Sequence, residues 1–154
     1  MRTFFKTALT LVLVFGLVAL AFGESATKEE VLAQCQNASK LLQDQGIDAA
    51  ISAIGDKNGR FVWKDTYVFL MDLDGKMSAH PMKPELTQRS DLLQVADTDG
   101  KPLFMEFVKL ANTSGKGWVD YMWPKPNEEK PVGKTSYILR VPGTQYFVGA
   151  GVYK

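Results

Sequence analysis

The chain has 154 residues, 45% hydrophobic and 23% charged, with 18 basic residues, 17 acidic residues, one histidine and one cysteine. A nearly neutral balance argues against nucleic acid or an anionic membrane surface as the main partner. A lone cysteine excludes an internal disulfide and C-x-x-C-H haem attachment, and one His with one Cys supports neither a zinc site of the usual ligand types nor a Cys–His nucleophile pair.

The first 23 residues differ from the rest. Arg2 and Lys6 form a positive start, an apolar run follows from Ala8 to Phe22, and Ala21-Phe22-Gly23 offers small residues at the positions a signal peptidase reads. Residues 1–23 are expected to be a cleaved secretory signal, with residues 24–154 as one domain. The alternative is an uncleaved membrane anchor, because the run approaches the length of a short spanning helix. Cys35 lies too far beyond the run to be a lipidation site. At helical spacing among leucines, it reads as a small buried hydrophobe or a reactive leftover thiol.

Thr27-Lys28-Glu29-Glu30 fits a capping box. Val31, Leu32, Cys35, Ala38, Leu41 and Leu42 then recur at three- and four-residue steps, predicting an amphipathic helix that stops near Gly46. Asp48 begins a shorter helix through Ile54, before the turn cluster Gly55–Gly59. From Phe61 to Met71 the period changes to two, with Tyr67, Phe69 and Met71 on one face. A turn at Asp72–Gly75 leads to a short strand from Lys76 to His80.

Pro81 and Pro84 open an irregular stretch to about Thr98. D-x-D-G occurs at Asp72 and Asp97, but neither copy has the ligand spacing of a calcium loop, so both read as turns. Pro102 starts a helix whose apolar face includes Leu103, Phe104, Phe107 and Ala111. Strands are predicted over Trp118–Trp123, Thr135–Val141 and Tyr146–Tyr153, with Pro124 to Lys134 as an exposed hairpin loop. Gly149-Ala150-Gly151 marks a strand position open to close approach by another group. Helices first, then hairpin-connected strands with one intervening helix, predict an α+β domain around an antiparallel sheet.

The ordered segments "YVFLMDLDGKMSAHPMKPEL", "DTDGKPLFMEFVKLA", "GKGWVDYMWPKP", "KTSYILRV" and "FVGAGVYK" resemble a single Cache domain, a bacterial extracytoplasmic small-ligand sensor, over roughly Val31 to Lys154. The resemblance implies a PAS-like fold: a long N-terminal helix packed on a curved antiparallel sheet whose concave face holds a small molecule, commonly an organic acid. The chain ends directly after the last predicted strand. The expectation is therefore a periplasmic or secreted stand-alone sensor working through a separate membrane receptor, kinase or transporter, with pairing of the long helix giving a homodimer.

By the same resemblance Lys134 faces the ligand carboxylate; by its residue type alone it reads as a loop lysine at the sheet edge. His80, before Pro81, is either a pocket donor sensitive to mild acidity or a turn histidine bonded to backbone. Tyr121 and Trp123 share one strand face, as do Tyr67 and Phe69. Such pairs are often plain core, but here they are candidate walls and hydrogen-bond donors, with Trp118 on the opposite face. Trp63 is expected to close the pocket. No nucleophile elbow, P-loop or dinucleotide fingerprint is present, and no cofactor is implied. The leading expectation is a non-enzymatic organic-acid sensor. The rivals are an interaction module that kept the fold without a ligand, and an enzyme or electron-transfer accessory.

Overall fold

The computed structural model describes residues 23–154, so the predicted signal segment up to Phe22 lies outside the described residues. Helix α1 spans Lys28–Gly55. Its start is the predicted capping box: the Thr27 hydroxyl accepts from the Glu30 N–H at 3.2 Å, and the Glu30 carboxylate accepts from the Thr27 N–H at 2.9 Å. Gly46, at φ +84° and ψ 177°, interrupts the helical backbone. The two helices expected on either side of it are therefore two arms joined at one glycine.

Six antiparallel strands follow: β1 (Val62–Trp63), β2 (Thr66–Asp72), β3 (Met77–Ala79), β4 (Lys116–Pro124), β5 (Pro131–Arg140) and β6 (Tyr146–Tyr153). They run in the order β1-β2-β6-β5-β4, with β3 also paired to β2. Two 3-10 turns, Pro84–Gln88 and Leu92–Gln94, occupy the stretch read as irregular, and α2 covers Leu103–Thr113. The D-x-D-G segments are turns: Asp72 accepts from the N–H groups of Asp74 and Lys76, and Asp97 from those of Asp99, Lys101 and Met122.

The sheet is covered on both faces. On one, Val31, Cys35, Ala38, Leu42, Ala50 and Ile54 of α1 pack against Val68, Leu70, Val148 and Ala150. On the other, Leu103, Phe104, Phe107 and Ala111 of α2 pack against Phe69, Tyr121, Ile138 and Phe147. Strand alternation supplies both sets from the same strands. Cys35 is fully buried in the α1 layer, where loss of solvation pushes its thiol up to about 12.

Two sequence expectations need correction. The strand expected from Phe61 to Met71 is broken by a tight turn at Lys64 and Asp65, with Lys64 at φ +48°, which creates β1. The loop expected from Pro124 to Lys134 is shorter, because β4 and β5 stay paired out to Pro124 opposite Pro131. Both prolines stand at strand ends, where the missing N–H costs the ladder least.

Candidate functional site

Between the sheet and α2 lies a small cavity lined by Tyr67, Phe69, Met77, His80, Leu103, Phe104, Phe107, Tyr121 and Trp123. Its free space is about 10 Å³, the room of roughly one water. Tyr67 and Phe69 reach it from β2, Tyr121 and Trp123 from β4, and His80 from the end of β3. Phe69 can lie flat over the sheet because its cross-strand partner is Gly149, and a Cβ there would meet the Phe69 ring. The walls fix one another: the Trp123 Nε1–H donates to the Tyr67 hydroxyl at 2.8 Å, and the Tyr121 hydroxyl and Ser136 Oγ share a hydrogen bond at 2.8 Å.

Lys134 lies on β5 between Tyr121 on β4 and Tyr153 on β6. It is only 1% exposed, so it is neither a loop residue nor a snorkelling edge lysine. It does not itself line the cavity. Its Nζ stands 4.2 Å from the centre of the Tyr67 ring, 4.6 Å from that of Tyr153, and donates to the Tyr153 hydroxyl at 3.2 Å. Among the described residues no carboxylate pairs with it within 4.0 Å. Burial draws its pKa down to about 7, partly opposed by the charge of Asp65.

His80 is bonded to backbone, as one of its two readings expects, and its ring also lines the cavity. Its Nδ1 accepts from the backbone N–H of Lys83 at 2.9 Å, which leaves Nε2 carrying the proton as a donor. No hydrogen bond to another described residue uses that Nε2–H. The expected response to mild acidity is corrected, however. Burial, then the charges of Lys134 and Lys83, push the His80 pKa down to about 3, so the ring stays neutral across the mildly acidic range.

Trp63, expected to close the pocket, is on the wrong face. In a continuous strand it would share the face of Tyr67, but the Lys64–Asp65 turn pairs it with Thr66, and it packs in the α1 layer. Trp118 also packs there, as expected, with the Lys28 ammonium 5.0 Å from its ring. Sequence reasoning missed Ser136, Tyr153 and the walls from α2. Ser136 was accessible, since alternation puts it on the face of Lys134 two residues earlier. Tyr153 required the β5–β6 register.

The arrangement sets a buried amine and a histidine N–H close to a small cavity walled by aromatic rings, where low local dielectric strengthens any polar contact. Solved structures share this fold. One, described as the structural basis for carboxylic acid recognition by a Cache chemosensory domain, is 32% identical with a TM-score of 0.68, covering 81% of this chain and 91% of that one. A periplasmic sensor domain of a chemotaxis protein is 31% identical at TM-score 0.64, covering 81% and 88%. A methyl-accepting chemotaxis protein from Vibrio parahaemolyticus, 22% identical at 0.67 over 82% and 87% of the two chains, shows the common fold alone.

Among curated sequences, the methyl-accepting chemotaxis protein McpP of Pseudomonas putida is 43% identical over 89 residues, and the sensor histidine kinase MctS of Rhizobium johnstonii 31% over 90. Each match covers 58% of this chain but only 16% and 19% of the relatives' own length. The Cache domain family model matches residues 35–154. With that match over most of its length, the chain belongs to the Cache family of extracytoplasmic sensor domains.

Proposed function

We propose that this domain reversibly binds a short monocarboxylate outside the cytoplasm, without chemistry, and presents its bound state to a separate membrane partner. The observation that carries the reading is Lys134, a fully buried amine on the ligand-side face with no carboxylate partner among the described residues. Burying a lone ammonium is costly, and an arriving carboxylate offsets that cost by ion pairing. The aromatic walls leave room for roughly one water, so a bound acid is small and the walls part to admit it. No acidic residue lines the cavity, so the ammonium of an amino acid would be unpaired there. Recognition of carboxylic acid by one structural neighbour supports the same class.

The tightness of the cavity favours one rival, a Cache fold kept for interaction without a ligand. One experiment separates the two: a thermal-shift screen of residues 24–154 against acetate, propionate, longer mono- and dicarboxylates, and amino acids. A ligand at 100 times its Kd adds about 2.7 kcal/mol, which raises Tm by several degrees. A rise with a short monocarboxylate that disappears in Lys134→Met supports the reading. No rise with any compound, or a rise intact in Lys134→Met, overturns it.

A further inference from the structure

Of the nine side chains lining the cavity, eight are no more than 6% exposed; Trp123 alone is half-buried. Trp123 is thus the most exposed part of the cavity wall. On its outer side Trp123 also lines a groove of about 250 Å³ with Tyr67, Met82, Lys83, Lys125 and Glu128. Tyr67 and Trp123 border both spaces, and the 2.8 Å hydrogen bond from Trp123 Nε1 to the Tyr67 hydroxyl ties the partition shut.

The outer groove offers cations at this partition. Lys83 Nζ is 5.8 Å from the Trp123 ring, and Lys125 Nζ is 5.6 Å from the ring of Tyr153, whose hydroxyl accepts from Lys134. Lys125 is held loosely, 3.9 Å from Asp65. Glu128 and Glu129, on the same groove, oppose the attraction, so Lys83, which has no ion pair among the described residues, is the stronger recruiter. Lys83 also touches both sides of the partition, since its side chain lies by Trp123 and its backbone N–H holds His80.

We propose that this groove is the vestibule through which an anionic ligand enters, with the Tyr67–Trp123 hydrogen bond as its gate and Lys83 as the recruiting cation. The proposal rests on carboxylate binding at Lys134 and adds what sets the rate. A closed partition makes opening, rather than diffusion, the slow step of association. Opposite charges outside the gate raise the encounter rate in a salt-dependent way.

The test is the exchange kinetics of isotope-labelled acetate, or the tightest short monocarboxylate, by NMR or stopped flow at two salt concentrations. Trp123→Phe removes the gate's donor and Tyr67→Phe its acceptor, so at least one informative variant remains if the other misfolds. Each is expected to raise the association rate constant about tenfold. Loss of a mere wall contact would instead speed dissociation and leave association unchanged. Lys83→Gln is expected to slow association several-fold at low salt and to flatten its salt dependence. If the wild type binds no monocarboxylate, both the ligand reading and the gate fall. If it binds but neither hydrogen-bond variant speeds association, the gate alone is overturned; an unaltered salt dependence in Lys83→Gln removes the recruiting role.

Discussion

Lys134 sets a conflict between stability and binding within a single residue. Its native pKa near 7 lies well below the ordinary lysine value of 10.5, so between these limits the unfolded chain holds more protons than the folded one. Stability is therefore expected to rise with pH from about 7 to about 10, and below 7 the penalty is complete, on the order of 5 kcal/mol. Lys134→Met should flatten that slope in urea titrations and make the ligand-free domain more stable at pH 6. Carboxylate affinity should move the other way in the wild type, weakening as pH rises above 7 and the ammonium is lost. With His80 neutral down to about 3, a calorimetric affinity profile should show no separate step near pH 6.5. Gly149 is the second instructive residue. Gly149→Ala drives a methyl into the Phe69 ring and is expected to cost about 1–3 kcal/mol by chemical denaturation. Because the two sites share one volume, Gly149→Ala with Phe69→Leu should cost less than the sum of the single changes.

At the level of elements, local chemistry was readable and reversals of direction were less so. The capping box of α1, the Gly46 joint and both Asp turns follow from residues within five positions of one another, and they stand where the sequence puts them. Gly46 holds a backbone conformation that side chains with a Cβ rarely adopt, with open space around it. Gly46→Ala should accordingly cost about 1–3 kcal/mol in thermal melts, through backbone strain alone. Trp63 shows the opposite case. Asp65 is a common turn residue but Lys64 is not, and the turn has Lys64 at φ +48° with its ammonium paired to Glu30 of α1 at 2.7 Å. That stabilisation comes from another element, so the face of Trp63 was hidden from a strand-by-strand reading. The extra length of β4 and β5 was hidden for the same reason, since it lies in their mutual pairing.

For the molecule as a whole, the α+β class, the antiparallel sheet and the helix-on-sheet layers were legible from period changes and from the order of five segments. The face assignment of Tyr67, Phe69, Tyr121 and Trp123 needed only strand alternation. Burial of Lys134, neutrality of His80 and the wall from α2 were not legible, because each depends on how many layers close over a residue. One buried group from that closed architecture has a practical use. Cys35, the only cysteine in the sequence, sits beneath α1 with its thiol pushed to about 12, where almost no thiolate forms at neutral pH. A thiol reagent should be nearly inert toward the native fold and react only as α1 lifts from the sheet. Its labelling rate is then a built-in clock for opening, expected to slow when a carboxylate is bound, and any cysteine introduced on the surface becomes the sole attachment point for a dye.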